Sequence, residues 1–191
     1  MDNKEKILQC ALELFYARGY DAVGVQEIAE TAGVTKPTLY YYFGSKQGLL
    51  ETLLETEYAV LRQALESASW YEDDVPDMLY RVASAFVDYF VSHQKMYKLL
   101  MGLFYSAKEN EAYQAVRPMV KDIYRRIVQV FEQASNRLGN MNGRQEQFAI
   151  GFLGIINNYL LVAGEQAENA VQISDETKIS LVNQFMYGIF S

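Results

Sequence analysis

The sequence predicts an all-α protein of about nine helices. Apolar residues recur at three- and four-residue intervals along most of the chain, and no segment alternates apolar and polar as a half-buried strand would. The composition agrees, with leucine, alanine, glutamate and glutamine frequent and only three prolines against 12 glycines. At 191 residues, half of them hydrophobic and 14% aromatic, the chain can bury a sizeable core, which excludes disorder as its main state.

The first run, 4–17, sets Ile7, Leu8, Ala11, Leu14 and Phe15 at helical spacing, with Cys10 as a small apolar neighbour. Gly19 ends it, and Tyr20 can fold back onto Phe15. A short helix over 25–31 turns Ile28 and Ala29 inward, and Ala32, Gly33 and Val34 make a tight turn. Thr35 is then a good N-cap and Pro37 falls in the first turn, where a missing N–H does no harm, so a third helix spans 36–43. Gly44 closes that helix, and Ser45 caps a fourth that reaches about Ala68.

Five more helices follow, at about 75–92, 95–105, 109–138, 143–164 and 175–190. Their starts are signalled by Asp74 before Pro76, by Asn142 with Gln145 three residues on, and by Ser174 ahead of Asp175 and Glu176. Pro118 is expected to kink its helix or delay that helix's start. His93, the single histidine, falls at a break and reads as a turn residue.

Charge and motif content narrow the function. One histidine and one cysteine give no zinc set, no Glu-x-x-His pair exists for a di-iron bundle, and neither glycine-rich phosphate loop occurs. No catalytic residue, metal or cofactor is therefore assigned, and the chain is not expected to be an enzyme. Its opening residues, Met-Asp-Asn-Lys-Glu-Lys, place acids where a signal peptide carries a basic flank, and a lone cysteine says nothing for an oxidising compartment. The longest apolar stretch, 148–162, contains Asn157 and Asn158 and is too short and too polar for a comfortable membrane span. A cytoplasmic protein with no membrane partner is the expectation.

A net charge of −7 argues against bulk attraction to nucleic acid. The distribution matters more. Between Glu30 and Glu51 there is no acid, and Lys36 and Lys46 give that stretch +2. The third helix lies inside it. At about 100° per residue, Leu39 and Phe43 mark its core side. Pro37 and Tyr41 fall opposite, with Thr38 and Tyr40 flanking them, Tyr42 at the margin, and Thr35, Lys36 and Lys46 at the ends. Solvent-facing helices ordinarily show Glu, Lys and Arg, and a clustered aromatic surface marks a contact site. A DNA major groove suits such a face: hydroxyls and lysines hold phosphate oxygens while a few side chains reach base edges. Ala29 and Gly33 meet the need of a helix-turn-helix for a small residue and a glycine in the turn. Packing beneath the fourth helix would explain any one tyrosine, but not the set.

The stretch from Ile28 to Phe43, followed by Ser45-Lys46 and Leu49-Leu50, resembles the TetR family of bacterial transcriptional regulators. Ile7-Leu8, Ala11, Leu14-Phe15 and Gly19-Tyr20 match that family's first helix, so the likeness is dense over 6–54. The resemblance implies a helix-turn-helix DNA-binding domain at 1–46 and a helical effector-binding and dimerisation domain at 47–191. It implies DNA contacts from Thr35, Lys36, Pro37, Thr38, Tyr40, Tyr41 and Tyr42, a backbone-gripping Lys46, and a base-contacting Gln26. One departure stands beside Gln26: where the family usually carries a threonine just ahead of that position, this chain has Gly24-Val25, which removes a phosphate contact and a helix cap.

The same likeness implies a ligand cavity among helices four to seven and a four-helix dimer interface from helices eight and nine. Cavity candidates are Phe86, Phe90, Tyr97, Met101, Phe104, Tyr105, Tyr124 and Phe131, each of which also suits plain core, with Asn158 for a ligand's polar end or the dimer seam. Interface candidates are Phe148, Gly151, Phe152, Ile155, Tyr159, Leu181, Phe185 and Ile189. The implied function is a homodimeric repressor released from a palindromic double-stranded operator by a small apolar effector of unknown identity. The alternatives are a helical protein-interaction module, whose tyrosine face would meet protein, and an activator of the same fold.

Overall fold

In a computed structural model, which describes residues 2–70, 74–138, 141–167 and 170–188, Asp2 opens the first helix with a capping box. Its side chain accepts from the Glu5 N–H at 2.8 Å while Glu5 accepts from the Asp2 N–H at 3.0 Å. That helix, α1 (Asn3–Arg18), buries Ile7, Ala11 and Phe15, one apolar residue per turn. The Gly19 N–H donates to the Phe15 carbonyl at 2.9 Å, and the Tyr20 ring settles 5.2 Å from that of Phe15. After α1 come α2 (Val25–Thr31), α3 (Lys36–Phe43), α4 (Lys46–Ala68), α5 (Val75–Ser92), α6 (Gln94–Phe104), α7 (Glu111–Gln133), α8 (Gln145–Gln166) and α9 (Asp175–Tyr187). These nine helices, with no strand, are the secondary structure of the described residues.

Two compact units emerge, Met1–Ala59 with Lys95–Val120, and Val60–Gln94 with Lys121–Ser191. They divide elsewhere than at residue 46. In the first, α1, α2 and α3 pack mutually around Ile7, Phe15, Ile28, Leu39 and Phe43. Helix α6 joins them, with Lys95 bound to Glu13 at 2.6 Å. In the second, α5 packs against α8 and α9. Asp74 accepts from the Asp77 N–H at 2.9 Å to start α5, whose buried face runs Val75, Met78, Leu79, Val82, Phe86 and Phe90. Ser174 caps α9 by accepting from the Thr177 N–H at 3.2 Å. Nearby, the almost wholly buried Lys178 holds Asp88 at 2.8 Å and Asp175 at 3.1 Å.

Three expectations are corrected. Asn142 does not cap α8; it takes a left-handed turn conformation (φ 43°), and Arg144 occupies the cap position without a side-chain capping hydrogen bond. Pro118 does not delay α7, which starts at Glu111 and carries the proline inside; the helix is shorter than 109–138 at both ends. Helix α9 ends at Tyr187, where the Gly188 N–H returns to the Gln184 carbonyl; residues 189 and 190 lie outside the described residues.

Candidate nucleic-acid interface

Helix α3 is held from below and bare above. Leu39 is fully buried and Phe43 nearly so, while Tyr41 is 84% exposed. Tyr40 and Tyr42 are also exposed, as are Thr35, Lys36 and Pro37; Thr38 is half-buried. The turn before α3 is set by Gly33, whose φ of 67° puts it in the left-handed region that side chains disfavour. The Val34 N–H reaches back to the Ala29 carbonyl at 2.9 Å, which fixes the angle between α2 and α3. Thr35 accepts from the Thr38 N–H at 3.3 Å, and the two hydroxyls lie 2.8 Å apart. They form one donor–acceptor pair at the helix N-terminus, where the backbone dipole favours an anion. Lys36 stands 5.8 Å over the Tyr40 ring, and the Tyr41 and Tyr42 rings meet edge-on at 5.4 Å. The face therefore offers hydroxyls, an ammonium and aromatic edges with no carboxylate among them.

Gln26 is exposed on α2, with its Nε2 donating to Glu30 at 2.6 Å. Gly24 supplies no side-chain cap to α2, as its sequence leads one to expect. Lys46, the first residue of α4, is half-buried with Nζ 4.1 Å above the Tyr20 ring. Burial pulls its ammonium below the ordinary lysine range, against the opposing pull of Asp21 and Glu111.

Sequence reasoning missed Gly48. A Cβ there would lie 2.2 Å from the Phe43 carbonyl oxygen, so only glycine lets the first turn of α4 pass this close to the end of α3. The readable signal was an isolated glycine inside a helical pattern.

The expected cavity residues divide between the units. Tyr97 is buried, Met101 and Phe104 half-buried and Tyr105 76% exposed in the first. In the second, Phe86, Phe90 and Phe131 are buried, Tyr124 is half-buried and hydrogen-bonded to Glu146, and Asn158 is exposed with its amide donating to the Gly154 carbonyl at 2.8 Å. Tyr105 thus points to solvent. Of this set, Phe131 lines a pocket of about 510 Å³ in the second unit, together with Leu79, Leu138, Met141, Phe148 and Phe185, and with Asp74 and Arg137 among its polar walls.

Interface candidates are likewise mixed. Phe152 and Leu181 are buried in their own unit. Phe148 and Phe185 are half-buried, and with Phe131 and Phe152 they form a cluster of rings 5.1–6.3 Å apart. Ile155 and Tyr159 are half-buried, Gly151 is exposed, and Ile189 lies outside the described residues. On α8 and α9, the exposed large apolar side chains among the described residues are Ile150, Val162, Ile179 and Tyr187. On α8, Ile150, Gly151, Gly154, Asn158 and Val162 share one stripe. By length and composition α8 could cross a membrane, yet its Ala149, Phe152, Ile156 and Leu160 face is buried in this unit.

Comparison with known proteins places this head. Residues 7–53 match the family described as bacterial regulatory proteins, tetR family. The HTH-type transcriptional activator FasR of Mycolicibacterium smegmatis is 33% identical over 99 residues, covering 52% of this chain and 45% of that protein. The HTH-type transcriptional repressor BdcR of Escherichia coli is 40% identical over 72 residues, covering 38% and 36%. The matched stretches thus span less than half the length of either relative. Over the whole chain the fold is similar to the transcriptional regulator FadR from Bacillus subtilis in complex with stearoyl-CoA, with a TM-score of 0.76 at 17% identity, covering 97% of this chain and 98% of that one. The match starts at Ile7 and ends at Leu53, two core residues of the unit that carries α3, so it is this N-terminal stretch that is similar to the TetR family of bacterial regulatory proteins.

Proposed function

We propose that the chain is a ligand-responsive, DNA-binding transcriptional regulator that acts as a homodimeric repressor. The observation that carries this reading is the α3 face: three exposed tyrosines, two paired threonine hydroxyls and a lysine on a helix anchored by Leu39 and Phe43. A helix of this size fits the major groove, and its donors suit phosphate oxygens at the groove edge. Two such heads, related by the twofold axis of a dimer, would read a palindromic operator in successive grooves. The α8 stripe, whose two glycines permit close helix approach, and the exposed apolar residues of α9 supply the surface for that dimer. The matched relatives include one named an activator and others named repressors or a negative regulator, which favours repression.

For the effector, the pocket bounded by Phe131, Phe148 and Phe185 has the size of a small-molecule site and mostly apolar walls, which supports an apolar ligand. FadR's bound stearoyl-CoA makes long-chain acyl-CoA the first class to try. A ligand releases the operator only if it prefers a conformation in which the two heads no longer match the groove spacing.

Binding to duplex DNA measured against salt tests the reading. Phosphate contacts make affinity fall steeply as salt rises, whereas a protein-interaction module using the same tyrosines would respond little. Stearoyl-CoA, added to the complex, is expected to release the duplex.

A further inference from the structure

Lys46 occupies a place that a cation should avoid. It is the first residue of α4, where the helix dipole presents its positive end. Three groups offset this. The Tyr20 ring lies 4.1 Å beneath Nζ and offers its electron-rich face. Asp21 and Glu111 both act on the same ammonium with favourable charge. Those partners are themselves fixed. The Tyr20 ring is buried against Phe15, and its hydroxyl donates to Glu111 Oε2 at 3.2 Å. Asn110 donates to Asp21 Oδ2 at 2.8 Å and accepts from the Ala112 N–H at 2.8 Å. Two consecutive residues at the start of α7 thereby hold two consecutive residues beyond the end of α1.

A DNA phosphate at the α4 N-terminus would offer Lys46 a competing anion. One ammonium cannot be held fully by both. We propose that Glu111, acting through Tyr20, is a positioning residue that sets how freely Lys46 is offered to the DNA backbone. The proposal rests on the DNA-binding reading above.

The test measures affinity for the duplex that the wild-type protein selects, across a range of salt, for four proteins: wild type, Glu111→Gln, Lys46→Gln and the double variant. Glutamine keeps an acceptor for the Tyr20 hydroxyl while removing the charge, and Glu111 is exposed, so the fold is retained; thermal unfolding checks this. Glu111→Gln is expected to tighten binding roughly three- to tenfold with an unchanged salt slope. Lys46→Gln should lower the slope by about 0.9, the loss of one phosphate contact. In the Lys46→Gln background, Glu111→Gln should have no effect. Unchanged or weaker binding by Glu111→Gln overturns the proposal. So does equal tightening with Lys46 absent, which would mean that Glu111 merely repels DNA. If wild type binds no duplex in a salt-dependent way, the DNA-binding reading itself fails, a result distinct from either of these.

Discussion

Leu39 and Tyr41 stand two positions apart on α3, and one is sealed in the core while the other is 84% exposed. Their roles should separate just as cleanly. Leu39→Ala is expected to destabilise the protein by about 2–5 kcal/mol, the range for emptying a buried leucine site. Tyr41→Ala should leave stability within about 0.5 kcal/mol of wild type and weaken duplex binding at least about tenfold. Chemical denaturation and a binding titration read the two effects. Loss of dimerisation in Tyr41→Ala would count against a DNA-contact role.

Gly48 sets how closely α4 follows α3. With the Phe43 carbonyl oxygen 2.2 Å from any added Cβ, Gly48→Ala must push backbone against backbone. A cost of about 1–3 kcal/mol is expected, as for other overpacked sites. Duplex binding should weaken as well, since α3 is tilted from its seat. Gly33→Ala, at φ 67°, should cost about 1 kcal/mol through backbone conformation alone. A Gly48→Ala protein as stable as wild type would show that the close approach is not required.

Lys178 ties α9 to α5, and its pH dependence follows from its partners. Burial disfavours its charge, but the hydrogen bonds it donates to Asp88 and Asp175 outweigh that and raise it above the ordinary lysine range. Its contribution is complete below about pH 10.4 and fades as pH rises through the elevated value. Asp175 is shifted the other way, lowered by Lys178 and by Tyr80, so its share is complete above about pH 3.9 and fades as pH falls. Lys178→Met is expected to cost about 1–2 kcal/mol between these limits, with the difference from wild type shrinking on both sides. Denaturant midpoints across pH measure it; a difference that grows above pH 11 would contradict the pairing.

The α8 stripe should hold the dimer. Val162→Glu places a charge where Ile150, Gly151, Gly154 and Val162 line one side of the helix. Sedimentation is expected to find a folded monomer at concentrations where wild type is a dimer, and operator binding should fall with it. A Val162→Glu dimer of wild-type affinity would place the interface elsewhere.

The helices were legible because their signals are local. Thr35, Pro37 and Gly44 punctuate α3 by rules of backbone geometry, and the third and fifth helices are found where their caps and prolines put them. Asn142 misled because asparagine suits both an N-cap and a left-handed turn, and only the surrounding chain decides between them. On α8, apolar on nearly every side, periodicity could not tell Phe152, which faces its own core, from Val162, which is uncovered. Tyr20 with Glu111 was invisible for another reason: the two are 91 positions apart, and no local pattern joins them.

Selection of preferred duplexes from a random DNA pool by the purified protein, near physiological salt, tests the central claim most directly. Enrichment of an inverted repeat, lost on Tyr41→Ala, is the predicted result: it would demonstrate sequence-specific binding by a twofold dimer through α3. Failure to enrich any sequence, from protein freshly unfolded and refolded to strip bound ligand, would contradict the account and leave the tyrosine face as a surface for protein.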